Sequence, residues 1–379
     1  MKKKVIIDVA TIYPGQGGAG GGIWSYAKNL LLQLDQRTND TDMEFICLVN
    51  SQFSLPLKNL RKKELPYNFQ NFIIRFFYTH FYLPFYVFTK KGILHKLYFE
   101  SPIFLSSSMV VTIHDCMSNY YQEKNYIGPS IGQKLKFIYF NFINRRAVKQ
   151  SSFICTPSKF VKDEILRYYS VSPDKIIVTP LATEINKELL QGKKKCRKIK
   201  LYCIAAFHKH KGYWRLVEIF EKMVTAYRTD ADLYLRGHVN DEQYFNQLIS
   251  KIESSAAKNN IHIVEYRRQS SLQDIYFDAD WVILLSEYEG FGLPVIEAQA
   301  NRVPVICSNI PTFTEVAGDT VFYINENEDA LASAEKLHAL LNDEHRRNEM
   351  IEKGLKNAAR YDWKRFTKQI IDIYKMASV

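Results

Sequence analysis

Residues 286–297 read Ser-Glu-Tyr-Glu-Gly-Phe-Gly-Leu-Pro-Val-Ile-Glu and follow the apolar run Trp281–Leu285. A short apolar run ending in turn residues predicts a buried strand. Gly290 and Gly292 then permit a tight turn and a close backbone approach. Pro294 suits the first turn of a helix, where its missing N–H is no loss. The stretch therefore reads as strand, turn and helix, with the helix over Pro294–Ala300. The amides around Gly292 and Leu293 point out of the helix start, a place that binds anions and fits a diphosphate. Glu289 stands before the turn and Glu297 after it. Around a phosphate seated on the helix mouth, each carboxylate can accept hydrogen bonds from hydroxyls, a ribose on one side and a sugar on the other. The plainer alternative is that the two acids only favour the positive helix end. Two glycines, a proline and two acids sharing one ligand geometry weigh against it.

The same alternation of short apolar runs and amphipathic stretches extends both ways along the chain, the pattern of an α/β protein with parallel sheets. Upstream it predicts strands at Val5–Ala10, Glu44–Val49, Met109–Ile113 and Phe153–Thr156, and helices at Gly22–Leu34, Gly132–Lys149 and Ser158–Tyr169. Downstream it predicts strands at Lys200–Ala205, Ala231–Arg236, Ile261–Glu265, Trp281–Leu285, Val303–Cys307 and Val321–Ile324. Helices alternate with these at Tyr213–Tyr227, Glu242–Lys258, Ser271–Phe277, Pro294–Ala300, Glu328–Leu341 and Asp343–Arg360. The basic stretch Gly192–Lys198 reads as a linker. The expected organisation is two Rossmann-like, doubly wound domains, residues 1–190 and 199–360. Ligands in such sheets bind beyond the carboxyl ends of the strands.

The chain has 379 residues, of which 46% are apolar and 24% charged, an ordinary soluble composition that excludes disordered, collagen-like and disulfide-scaffold classes. The net charge of +11 is uneven: residues 1–190 hold 24 Lys and Arg against 14 Asp and Glu, and the remainder is nearly balanced. The first half thus attracts anions. Aromatics reach 14%. They crowd the basic stretch from Tyr67 to Phe104 and the segment Lys134–Arg146, whose ends suit an interfacial helix, although core packing explains the latter's apolar face equally well. Weak contact with an anionic membrane surface is expected, and nucleic-acid binding is not, since no recognition module is visible. The six cysteines lie far apart without metal-ligand spacing. The opening apolar run is too short for a signal peptide, and no stretch is apolar enough to span a membrane. These features point to a cytoplasmic protein, free or resting on the inner face of the cytoplasmic membrane.

The string Glu289–Glu297 resembles the family-4 retaining glycosyltransferases, whose mark is a Glu, seven residues and a second Glu in a context like EGFGLPVIE. Thr112–Cys116, Thr156–Leu166, Val303–Asp319 and the final YDWKRFTKQIIDIY resemble further segments of that family, so the likeness covers nearly the whole chain. It implies the GT-B fold: two Rossmann-like domains facing a central cleft, the first for the acceptor and the second for the donor, with helix 361–379 returning to the first. By this resemblance Glu289 contacts the donor sugar and Glu297 the donor ribose. Gly290, Phe291, Gly292 and Leu293 surround the diphosphate, and Lys211 holds it. The family's arginine five residues before that lysine is Ala206 here, leaving Lys209 or His208 to replace it, with Lys209 the better on charge. A second departure is Asn301-Arg302, where the family often has a small residue and glycine. His114 matches the histidine placed against the donor sugar, and Asp115 either orients it or caps the following turn. Gly21 and Gly22 match glycines near the donor phosphates.

The implied activity is transfer of a hexose from a nucleotide diphosphate sugar to a glycan hydroxyl with retention, the acceptor being lipid-linked as in bacterial surface polysaccharide assembly. No cofactor or metal is expected. Asp230-Ala-Asp232 and Asp278-Ala-Asp280 spell the D-x-D of metal-using transferases but sit at helix-to-strand junctions, where acids commonly end elements. Gly15, Gly17 and Gly20 spell G-x-G-x-x-G, yet the second strand ends at Val49-Asn50 without the acid a nicotinamide enzyme needs. Two rival readings remain open: an epimerase or phosphorylase on the same fold, and a non-catalytic membrane- or glycan-binding subunit.

Overall fold

Two wholly parallel sheets, each in its own unit, organise the chain in the computed structural model. It describes residues 2–13, 22–38, 41–52, 55–126, 131–185, 198–265 and 276–378. Among these, residues up to 181 and from 363 onward form one unit, and residues 182–362 the other. The predicted linker lies largely outside the described residues.

The first unit is built on β1 (Lys3–Asp8), β2 (Met43–Asn50), β3 (Arg61–Leu65), β4 (Gly92–Lys96), β5 (Met109–Thr112), β6 (Phe153–Thr156) and β7 (Ile176–Val178). Their order is β3-β2-β1-β4-β5-β6-β7, so the winding reverses between β1 and β4. The helices are α1 (Gly22–Arg37), α2 (Phe72–Phe77), a π turn (Tyr78–Tyr82), α3 (Leu83–Lys90), α4 (Met117–Glu123), α5 (Ile131–Gln150) and α6 (Lys159–Tyr168). α1 forms because Tyr26, Ala27, Leu30, Leu31 and Leu34 bury one stripe of it. Ser158 starts α6 by accepting the Val161 amide at 3.1 Å.

Three strands here escape the apolar pattern. β3 reads RKKEL and lies at the sheet edge, where charge discourages pairing with other chains. β7 is only three residues long. β4 reads GILHK yet is buried throughout, because its polar ends find partners. Lys96 Nζ meets Asp8 Oδ2 at 2.6 Å, and Tyr78 donates to Asp8 Oδ1 at 2.8 Å. His95 sits between the Tyr374 hydroxyl (2.6 Å) and Thr112 Oγ1 (2.9 Å).

The second unit runs β8 (Ile199–Ile204), α7 (Tyr213–Thr225), β9 (Ala231–Gly237), α8 (Glu242–Glu253), β10 (Ile261–Glu265), β11 (Trp281–Leu284), α9 (Leu293–Ala300), β12 (Val305–Ser308), α10 (Pro311–Ala317), β13 (Phe322–Ile324), α11 (Ala330–Asn342) and α12 (Glu344–Ala358). Its strand order, β10-β9-β8-β11-β12-β13, repeats the doubly wound arrangement, with the switch point between β8 and β11. α8 ends before the predicted Lys258. Ser255 turns its hydroxyl to Glu221 and accepts the Ala257 amide at 3.2 Å, an alternative to helical pairing. Most of the helix expected over Ser271–Phe277 lies outside the described residues.

The chain's last helix, α13 (Trp363–Met376), belongs to the first unit. It buries Phe366, Ile370 and Tyr374, and its Lys364 carbonyl accepts from Arg37 at 3.3 Å. Five thiols, Cys47, Cys116, Cys155, Cys203 and Cys307, are free and buried. Among the described residues no helix is long and apolar enough to cross a membrane.

Candidate functional site

β8 and β11 pair at the switch point of the second unit, so the loops leaving their carboxyl ends are neighbours. The loop after β8 makes one tight turn over Lys209–Lys211 and enters α7 through Gly212 at φ 68°. A Cβ on Gly212 would fall 1.9 Å from the Leu285 carbonyl oxygen, so only glycine lets the two loops touch here. The Glu287 amide donates to the His210 carbonyl at 2.8 Å and ties them. This contact brings Lys211 Nζ to Glu289 Oε1 at 2.6 Å, with both side chains about 15% exposed. Ser286 Oγ donates to the same oxygen at 2.8 Å, and Thr312 donates to the Glu289 carbonyl at 2.7 Å.

Gly292, at φ 94°, caps α9, and Pro294 occupies its first turn as the sequence predicts. A Cβ on Gly292 would lie 2.7 Å from the Phe313 ring. Gly290 and Leu293 flank this turn and are partly exposed. Phe291 is buried edge-on against Tyr361 at 5.5 Å, so only its backbone can serve a ligand. Glu297 accepts from the Tyr276 hydroxyl at 2.9 Å. Burial raises its carboxyl above the usual range, partly offset by that hydrogen bond.

Lys209 is exposed at the start of the turn that carries Lys211. His208 stacks on His210 at 5.5 Å and reaches the Asn240 amide at 3.2 Å. Burial and the Lys211 charge lower the His208 pKa, which favours the neutral ring and leaves Lys209 the better cation. The Asn301-Arg302 departure has a structural meaning. Asn301 donates to the Glu297 carbonyl at 2.8 Å, ending α9. Arg302 takes φ 58°, the left-handed position that favours glycine after a helix, and pairs with Glu352 at 2.8 Å.

In the first unit His114 follows β5. Its Nε2 meets the Leu97 carbonyl at 3.0 Å, and its ring stands edge-on to Tyr26 at 4.7 Å. Only an N–H can donate to a carbonyl, so Nε2 carries the hydrogen and Nδ1 is the acceptor. Desolvation lowers its pKa to about 4, so it is neutral at pH 7. Asp115 caps the next turn, accepting the Met117 amide at 2.9 Å. Gly22 opens α1, and Gly21 lies outside the described residues. Of the D-x-D acids, Asp232 pairs with Lys198 at 2.7 Å, Asp278 with Lys200 at 2.6 Å, and Asp280 accepts the Lys200 amide at 2.9 Å.

Sequence reasoning did not single out Ser286, Thr312 or Tyr276. Ser286 lies within the motif itself, three residues before Glu289, where that offset was the available signal. Thr312 and Tyr276 reach the motif from other elements, and no local pattern marks them.

Residues 185–357 match the family model described as glycosyl transferases group 1. O-antigen chain mannosyltransferase B of Escherichia coli is 27% identical over 241 residues, covering 61% of this chain and 62% of that protein. O-antigen chain mannosyltransferase RfbU of Salmonella typhimurium is 29% identical over 237 residues, covering 59% of each. The chain thus spans about six-tenths of the length of these curated relatives. Anabaena Alr3699/HepE, solved in complex with UDP and glucose, superposes with a TM-score of 0.70 at 13% identity, covering 99% of this chain and all of that one. That likeness shows the shared fold, the GT-B architecture of two Rossmann-like domains.

Proposed function

We propose, for a chain whose residues 185–357 match the glycosyl transferases group 1, retaining transfer of a hexose from a nucleotide diphosphate sugar to a hydroxyl of a lipid-linked glycan. The observation that carries it is the Lys211–Glu289 contact of 2.6 Å at the β8/β11 switch point, beside the mouth of α9. Lys211 and the amides after Gly292 supply positive charge where the departing diphosphate gathers negative charge. Glu289 then exchanges part of its hold on Lys211 for sugar hydroxyls, and Glu297 accepts from the ribose. The bond from the anomeric carbon to the diphosphate oxygen breaks as the acceptor oxygen bonds to that carbon on the same face. The acceptor proton passes to a diphosphate oxygen. Lys211 supplies the charge a metal would, so the reaction as read needs neither metal nor resident cofactor.

The mannosyltransferase names of the two relatives make mannose the first sugar to try. HepE, solved with UDP and glucose, makes UDP-linked donors the next. The test is a thermal-shift panel of nucleotide diphosphate sugars on the full chain, followed by transfer to a lipid-linked glycan with the product anomer read by NMR. A true donor at ~100 times its dissociation constant stabilises the protein by about 2.7 kcal/mol, and the product keeps the donor's anomeric configuration. Stabilisation by no donor, turnover without any acceptor, or an inverted product overturns the reading.

A further inference from the structure

α2, the π turn and α3 are apolar on both sides. Tyr78, Leu83 and Val87 face inward and join the core of the first unit. On the other side Ile73, Phe77, Phe81, Phe85 and Phe88 are each 58–68% exposed. Their spacing of four, four, four and three residues overshoots a 3.6-residue turn, and the wider π turn at Tyr78–Tyr82 takes up the difference. The stripe thus stays on one line of solvent-facing apolar side chains, four of them phenylalanine rings. Tyr139 of α5 extends it. Its ring packs on Phe72 at 5.6 Å and its hydroxyl meets His80 Nε2 at 2.8 Å, setting the exposed Leu135, Ile138 and Phe142 of α5 beside the stripe. Scattered exposed apolar residues need no explanation, but a contiguous face of large ones marks an interaction site.

Charge identifies the occupant. The helices that carry this face, residues 72–90 and 131–150, hold seven Lys and Arg and no Asp or Glu, with Arg75 paired to Glu100 at 2.6 Å. Lys63 lies 4.2 Å from the Tyr86 ring centre, at the rim of the stripe. Two such faces from two copies would bring like charges together. Apolar rings on helices whose charges are all basic match acyl chains beneath anionic headgroups. Arg75 and Pro84 interrupt the segment, which suits lying in the interface rather than crossing it. We propose that the outer face of α2–π–α3, extended by α5, docks the first unit onto an anionic lipid bilayer, with Phe77, Phe81 and Phe85 entering the acyl boundary. The lipid-linked acceptor gives this docking its purpose, and to that extent it rests on the transferase reading.

The experiment is co-sedimentation of the full chain with vesicles of phosphatidylcholine mixed with phosphatidylglycerol, and with vesicles of phosphatidylcholine alone. It compares the parent chain with the triple variant Phe77→Ser, Phe81→Ser, Phe85→Ser, whose changed side chains are all exposed. The parent chain should bind the anionic vesicles and not the neutral ones, and release on added salt. The variant should bind at least about tenfold more weakly while keeping its unfolding midpoint and any donor-induced thermal shift. A parent chain that stays in the supernatant, or a variant that binds equally, overturns the proposal. So does a parent dimer that the variant splits, which would make the face a self-interface. Vesicle binding by a chain that no donor stabilises would sink the transferase reading and leave the docking surface standing.

Discussion

Lys211 reaches Glu289 because Gly212 follows it. At φ 68°, with the Leu285 carbonyl where a Cβ would go, that position turns the chain from the Lys209–Lys211 turn into α7 and presses the β8 loop against the end of β11. Alanine there meets both strain and a backbone clash. Gly212→Ala should cost more than about 1 kcal/mol of stability in chemical denaturation and weaken nucleotide binding with it; unchanged stability would show that the two loops are not locked together. The motif Glu289–Glu297 was legible because its turn, cap and acids are all local. Thr312 and Tyr276 were not, since they reach the motif from elements that meet it only in the fold, and Ser286, inside the motif, had only its offset from Glu289 as a signal. Arg302 shows another limit: its left-handed backbone is settled by the end of α9, and its side chain gives no sign of it.

Elements differ in how openly they announce themselves. β5, β11 and β12 are buried apolar runs and appear where the pattern puts them. β4 does not, because a strand ending in His95 and Lys96 looks exposed until Asp8, Thr112 and Tyr374 supply the partners. The π turn is invisible in the sequence for a similar reason, being a compromise between an inner core face and an outer aromatic one. This polar interior has a pH consequence. His95 and His114 are held neutral by burial, with pKa values lowered to about 3 and about 4. Unfolded histidine titrates near ~6.5, so below that pH the unfolded chain binds protons that the folded chain refuses. Their contribution is fully present above ~6.5 and is lost as pH falls toward 4. The thermal midpoint should therefore drop across that window, and His114→Gln should flatten the slope. Parallel profiles for the two proteins would show that His114 is not kept neutral by the fold.

At the scale of the whole molecule, the second unit presents Lys211 and Glu289 at the β8/β11 switch point, and the first presents an aromatic, basic face. Under the proposed function, the second unit would hold the donor and the first would face the acceptor. Half of it was readable in advance: the uneven charge and the strand–turn–helix of the motif lie in the linear sequence. The alignment of Ile73 and four exposed phenylalanine rings across a π turn required the fold. The most direct measurement is calorimetric titration of UDP and GDP into the full chain and into its Lys211→Ala variant. Binding by the parent chain of at least one nucleotide, weakened roughly 30-fold or more in the variant, is the predicted result. Equal binding by both proteins, or none by the parent chain, would contradict it.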